Sequence, residues 1–97
     1  MKAKLREAWL TALRSGEYEQ ARLALKRDDG FCCLGVLCAV ARKRLTGYVE
    51  PDDAHYRWLK AQLGDDAVDT LAILNDERGK SFKQIANYIN THIPAED

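Results

Sequence analysis

Residues 31–41 read FCCLGVLCAVA, an unbroken apolar run that holds all three cysteines of the chain. A helix through it is apolar on every side, so it belongs inside a core and must be covered by other elements. The run is about half the length of a membrane-spanning helix, which needs roughly 20 residues. Its flanks predict a helix over residues 30–45. Asp28-Asp29-Gly30 precede it, and Asp29 can accept hydrogen bonds from the free amides of a first turn. Arg42, Lys43 and Arg44 suit the negative end of the helix dipole, and Gly47 supplies a stop. Gly35, in the middle, costs about 1 kcal/mol against alanine, a cost that close approach by another element would justify.

Elsewhere the apolar residues recur mostly at helical spacing. Leu5, Ala8, Trp9, Ala12 and Leu13 mark a first amphipathic helix that ends at Ser15-Gly16. Lys2 and Lys4 oppose its dipole, so its first turn is expected to fray. Residues 17–27 fit either a helix or an extended hairpin arm. Tyr56, Leu59 and Leu63, with Trp58 beside them, predict a helix that opens near Pro51 and stops at Gly64. Asp65-Asp66 cap another, with Val68, Leu71, Ala72 and Leu74 inward and Ile73 beside them. Residues 75–79 read as a turn. Ser81 and Gln84 then form a capping box for a last helix with Phe82, Ile85, Ala86 and Ile89 on one face and Tyr88 beside it. That helix ends near Pro94, and residues 95–97 are expected to be loose. The expected fold is all-α: a single helical domain over residues 1–97, built from about five short helices, with at most a minor β-hairpin near residues 17–27.

Net charge is zero, but the halves differ. Residues 1–49 hold ten Lys/Arg against five Asp/Glu, and residues 50–97 hold five against ten. Such halves either complement each other in the fold or leave a basic face for an anionic partner. The densest cations are Arg22, Lys26 and Arg27 with Arg42, Lys43 and Arg44, and these six form the candidate binding surface. They suit an acidic protein, a nucleic acid or a signalling nucleotide. No glycine-rich phosphate loop follows a strand, so nucleotide hydrolysis has no support. Residues 68–93 suggest a helix-turn-helix, but five acidic residues surround it and only Lys83 lies on its second helix. Packing explains that pair better. Asp52-Asp53 and Asp65-Asp66 stand at helix starts and read as caps rather than catalytic carboxylates.

The thiols admit three uses. Zinc takes four ligands, usually in two spaced pairs, and Cys32, Cys33 and Cys38 contain no such pair. Nothing in the spacing calls for His55 or His92 to complete a set, so no metal or cofactor is expected. Cys32 and Cys33 fall in a first helical turn, where free amides lower a thiol pKa, which makes them candidate reactive thiols. Free cysteine is also a small core hydrophobe, and the apolar neighbours favour that use. The start is basic with no apolar signal segment after it, and the cysteine count is odd. Both fit a cytoplasmic protein with reduced thiols and no membrane partner.

Three stretches, ALRSGEYEQARLAL, FCCLGVLCAV and LAILNDERGKSFKQIANYI, carry a resemblance. Residues 13–20, 31–38 and 74–85 together resemble a family of small bacteriophage and prophage proteins marked by Phe-Cys-Cys-Leu-Gly-Val-Leu-Cys. The middle of the chain is shorter than in that family. The resemblance implies a phage accessory protein in the cytoplasm of a bacterial host, with no known activity. By analogy of size and origin, it suggests an inhibitor of a host defence system. The leading expectation is thus a non-enzymatic protein that binds a bacterial host macromolecule, most simply a protein. The alternatives are a thiol-dependent enzyme or redox-responsive protein using Cys32 or Cys33, and a nucleic-acid or nucleotide binder through the basic patch.

Overall fold

In the computed structural model, which describes residues 1–43, 45 and 53–96, helix α1 (Ala3–Ser15) stops as its sequence predicts. Gly16 takes the left-handed conformation at φ 79° that closes it. The next segment is extended rather than helical, and within residues 17–27 it forms two short strands, the second of which is one arm of a minor hairpin. Strands β1 (Glu19–Gln20), β2 (Lys26–Arg27) and β3 (Gly30–Phe31) form a small sheet in the order β1-β3-β2. β3 runs parallel to β1 and antiparallel to β2, with Gly30 opposite both Glu19 and Arg27. Asp28-Asp29 is therefore the two-residue hairpin loop, and Asp28 takes the positive φ of 52° that such a loop demands.

This sheet shortens the central helix at its start. Helix α2 covers Cys33–Val40 rather than residues 30–45. Its cap is not Asp29 but Cys32, whose Sγ accepts from the Gly35 amide at 3.3 Å, because Gly30 and Phe31 are committed to the ladder. Its other end closes before any glycine. Arg42 adopts φ 61°, and the amides of Arg42 and Lys43 turn back to the carbonyls of Ala39 and Cys38 at 3.0 and 2.8 Å. That is a Schellman motif with arginine at the left-handed position. The expected stop at Gly47 lies outside the described residues, as do the connector about Tyr48 and the start at Pro51.

Helices α3 (Asp53–Leu63), α4 (Asp65–Asp76) and α5 (Phe82–His92) complete the bundle. Gly64 alone joins α3 to α4, at φ 89°. Asp65 and Asp66 occupy the first turn of α4 without making a side-chain cap, so they act on its dipole. The capping box of α5 is formed, with Ser81 Oγ accepting from Gln84 N at 3.2 Å and Gln84 Oε1 accepting from Ser81 N at 2.9 Å. α2 packs between α1 and α4, and α5 lies along α1. One apolar core joins Trp9, Leu13, Leu25, Leu37, Leu59, Leu71 and Ile89 with all three cysteines.

Two buried polar groups of α1 tie this frame together. Trp9 donates its indole N–H to the Cys33 carbonyl at 2.9 Å. Arg6 is buried and donates to the carbonyls of Ile93 and Asn90 at 2.7 and 3.1 Å, which puts a cation on the negative end of α5. The first turn of α1 and Glu96 are paired with each other rather than frayed and loose as expected, while Asp97 lies outside the described residues. Lys2 bridges to Glu96, the Ala3 amide donates to the Glu96 carbonyl at 3.1 Å, and the Met1 ammonium lies 3.1 Å from the Glu96 carboxylate. One orphan amide of α1 is thereby satisfied by the C-terminal segment. Among the described residues, no helix is long and apolar enough to cross a membrane.

Candidate functional site

The link between β1 and β2, Ala21-Arg22-Leu23-Ala24-Leu25, carries a conformation that its sequence does not favour. Leu23 sits at φ 67°, a left-handed conformation that costs a non-glycine residue about 1 kcal/mol. It is also 65% exposed, the most exposed large apolar side chain among the described residues, while Ala24 and Leu25, which follow it, are buried. The C-terminal end of α4 holds the backbone in this shape. Asp76 Oδ1 accepts from the Leu23 amide at 3.0 Å, and the Asn75 carbonyl accepts from Arg22 Nε at 3.1 Å. Asn75 Nδ2 donates to the Ala21 carbonyl at 2.8 Å and to Asp76 Oδ1 at 2.7 Å. On the far side of the bend, the Leu25 carbonyl accepts from Cys32 N at 3.2 Å.

Asn75 is the hub of this arrangement. It is fully buried, and its Oδ1 accepts from Gln20 Nε2 at 2.9 Å and from Cys33 N at 3.2 Å. Where the sequence predicts a turn over residues 75–79, α4 runs on to Asp76 and carries Asn75 into the core. The three stretches that carry the phage-protein resemblance therefore meet at one side chain, through Gln20, Cys33 and Asn75. Membership of those stretches is the sequence signal for Asn75 and Leu23 alike, and it marks neither as a site residue.

Under the bend lies a cleft of about 240 Å³. Leu23, Ala24, Leu25, Leu34, Tyr56 and Ala72 line it, with Cys32 and Asp76. Pockets for small molecules run to roughly 300–1,000 Å³, so this one suits a single anchoring side chain better than a nucleotide. Ile73, 42% exposed, follows Ala72 on α4. Two other hollows are larger and more polar. One, of about 330 Å³, lies between the α3–α4 junction and the C-terminal segment, and the other, about 450 Å³, lies beside the sheet.

The five described cations of the expected surface divide among three places. Arg22 is tied to the end of α4. Lys26 and Arg27 lie on β2, before the start of α2, and Lys26 donates to the Asp28 carbonyl and lies over the Phe31 ring. Arg42 and Lys43 follow the other end of α2, about 12 Å of helix away, with Lys43 over the Trp58 ring at 5.2 Å. Arg44 lies outside the described residues.

All three thiols are buried and free. Desolvation outweighs the helix amides at Cys32, whose pKa rises from 9.0 to about 12 although the Gly35 and Leu34 amides pull it down. Burial pushes Cys33 well above its ordinary value too, and Cys33 Sγ lies 3.6 Å from the Leu71 carbonyl. Cys38 rises to about 11, chiefly by burial and against the pull of Lys43. His92 commits its Nδ1 to the Tyr88 carbonyl and stacks on that ring. Among the described residues, no group of three or more His, Cys, Asp or Glu is disposed to hold a metal ion.

Thiols held protonated have a measurable consequence. The unfolded chain releases thiol protons near pH 9, whereas the folded chain keeps those of Cys38 and Cys32 until about pH 11 and 12. Above pH 9 the native state binds more protons, so stability should be level through neutral pH and fall as pH rises beyond 9. Urea midpoints between pH 7 and 10.5 check this, with thiol labelling at pH 7.5 slow in native protein and fast in urea. Rapid stoichiometric labelling of the native protein at pH 7.5 would contradict this account of the thiols.

No curated protein and no solved structure matches the chain. A family model does, over residues 1–63, from α1 to the end of α3. That stretch holds the Leu23 bend and Cys32-Cys33 but leaves Asn75 and Asp76 beyond its end. The match covers well over half of the chain, which belongs to the family described as a domain of unknown function, DUF8296.

Proposed function

We propose that this protein is a non-enzymatic binding module that engages a bacterial host protein through the Leu23 bend and the cleft beneath it. The phage accessory role implied by the sequence resemblance fits this reading, with a component of a host defence system as the class of target. One observation carries it. A leucine is held in left-handed backbone, at a cost, by the carboxylate of a helix 53 residues away, and the result is an apolar side chain presented to solvent. Glycine or asparagine would fill that bend with less strain, so stability alone does not account for leucine there. Exposed apolar anchors beside a small cleft are what protein partners recognise. The thiol reading has less support, since burial keeps Cys32 and Cys33 protonated.

The test separates binding from folding. Asparagine tolerates left-handed backbone, so Leu23→Asn should melt at or slightly above the wild-type temperature while losing the anchor. Wild type and variant are immobilised and exposed to nuclease-treated bacterial lysate, and the affinity of the recovered partner is measured against both. Loss of an anchor costs roughly 2 kcal/mol or more, about a 30-fold weakening. Arg42→Gly is the companion, since it relieves the left-handed position at the end of α2 and removes a cation of the basic patch. A partner that binds Leu23→Asn as well as wild type but loses affinity for Arg42→Gly would move the site to the basic patch.

A further inference from the structure

The charges around the cleft say what kind of segment fills it. Helix α4 carries Asp65, Asp66, Asp69 and Asp76 and has no Lys or Arg within Asp65–Asp76. Asp69, Ile73 and Asp76 follow one another at helical spacing, so an exposed apolar side chain stands between two carboxylates on one stripe. The C-terminal end of α4 also faces the cleft, where its dipole adds negative potential. Tyr56 reports that potential from inside. Its phenol is held protonated above the ordinary range, first by desolvation and then by Cys32, Asp69 and Asp76. Arg22 is turned to the Asn75 carbonyl and Lys60 to the Tyr56 ring, 5.7 Å from its centre, while Asp69 stays exposed on α4.

We infer that the Leu23 cleft takes a cationic amphipathic segment of a partner protein, with an aliphatic or aromatic side chain in the cleft and Lys or Arg about one helical turn away, over Asp69 and Asp76. The inference rests on the proposed role of the Leu23 bend and adds the chemistry of what binds there. An acidic segment would meet like charge and a nucleic acid would be repelled, so the same surface that attracts one class rejects two others.

The probe is a displayed library of random twelve-residue peptides, selected on the wild-type protein after depletion on Leu23→Asn. Selected peptides should hold Lys or Arg within four residues of a Leu, Ile, Phe or Met more often than the starting library. A synthetic peptide of the commonest selected sequence should bind Asp69→Lys at least about fivefold more weakly than wild type, and its affinity should fall with salt. Lys83→Glu, on the exposed side of α5, should leave it unchanged. Peptides that need Leu23 but carry no excess of cations, or that bind Asp69→Lys as tightly as wild type, would overturn the cationic segment and leave the Leu23 site standing. Selection of no Leu23-dependent peptide would overturn both. Sedimentation equilibrium of the protein alone should give a monomer at tens of micromolar; a dimer lost on Leu23→Asn would make a second copy the occupant and overturn the inference.

Discussion

Gly35→Ala should destabilise the protein by about 3 kcal/mol or more, although alanine is the better helix former. In a free helix that exchange gains about 1 kcal/mol. Here a Cβ on Gly35 would lie 1.9 Å from the Leu25 carbonyl oxygen and 2.8 Å from its carbon, so backbone must move, not a side-chain tip. The Leu25 carbonyl has no slack. It accepts from Cys32 N, and its own residue is fully buried just before β2. Shifting it breaks that bond, loosens the Cys32 cap on α2 and disturbs the bend that presents Leu23. Overpacking against side chains costs roughly 1–3 kcal/mol, and a clash with a hydrogen-bonded backbone belongs at or above the top of that range. In a domain of this size, thermal unfolding should fall by about 12 °C or more. A melting temperature within about 3 °C of wild type would show that β2 gives way easily, and the tight α2–Leu25 seam would then not be a determinant of the fold.

The seam explains which parts of the molecule were legible in the sequence. Local chemistry was readable wherever it stayed local. Gly16 closes α1, and Ser81 and Gln84 open α5 with the bonds their spacing implies. The apolar run lies in the core as its composition implies, and Gly35 sits where the Leu25 backbone comes close. The ends of α2 differ from those its local sequence predicts because they depend on pairing across the chain. Asp28-Asp29 has the composition of a cap, but Gly30 and Phe31 are held by Glu19-Gln20 on one side and Lys26-Arg27 on the other, and the cap passes to Cys32. Arg42 stops the helix in a conformation usually left to glycine, which no residue pattern announces. The site was least legible for the same reason. Leu23 looked like one more apolar position in an ambiguous stretch, and its outward turn is set by Asp76, 53 residues on. The basic residues are visible as composition, whereas their division between the end of α4 and the two ends of α2 is a property of the fold.

The largest loss expected of any polar substitution is at Asn75. Its side chain takes part in four hydrogen bonds: to the Ala21 carbonyl, to Asp76 Oδ1, from Gln20 Nε2 and from Cys33 N. Asn75→Ala leaves the Cys33 amide in the closed core and the half-buried Ala21 carbonyl without these partners, and each stranded group costs about 1–3 kcal/mol. The expected destabilisation is about 3–5 kcal/mol, read as a fall in urea midpoint at unchanged slope. Asn75→Asp distinguishes the hydrogen bonds from simple loss of volume. It keeps an acceptor for Gln20 and Cys33 but turns the donor toward Asp76 into a second carboxylate, so its ionisation is disfavoured by burial and by like charge. A carboxyl whose pKa is raised in the folded state stabilises below the unfolded value, about 3.9, and loses that contribution as pH rises. The Asn75→Asp variant should therefore recover toward wild type at acidic pH, whereas Asn75→Ala should show no such recovery. Because Asn75 and Asp76 shape the bend, Asn75→Ala should also lose the partner that needs Leu23, even at temperatures where the variant remains folded. A variant that keeps wild-type stability at pH 7, or one that unfolds while its Leu23-dependent binding survives at low temperature, would sever the hub from the site it is argued to hold.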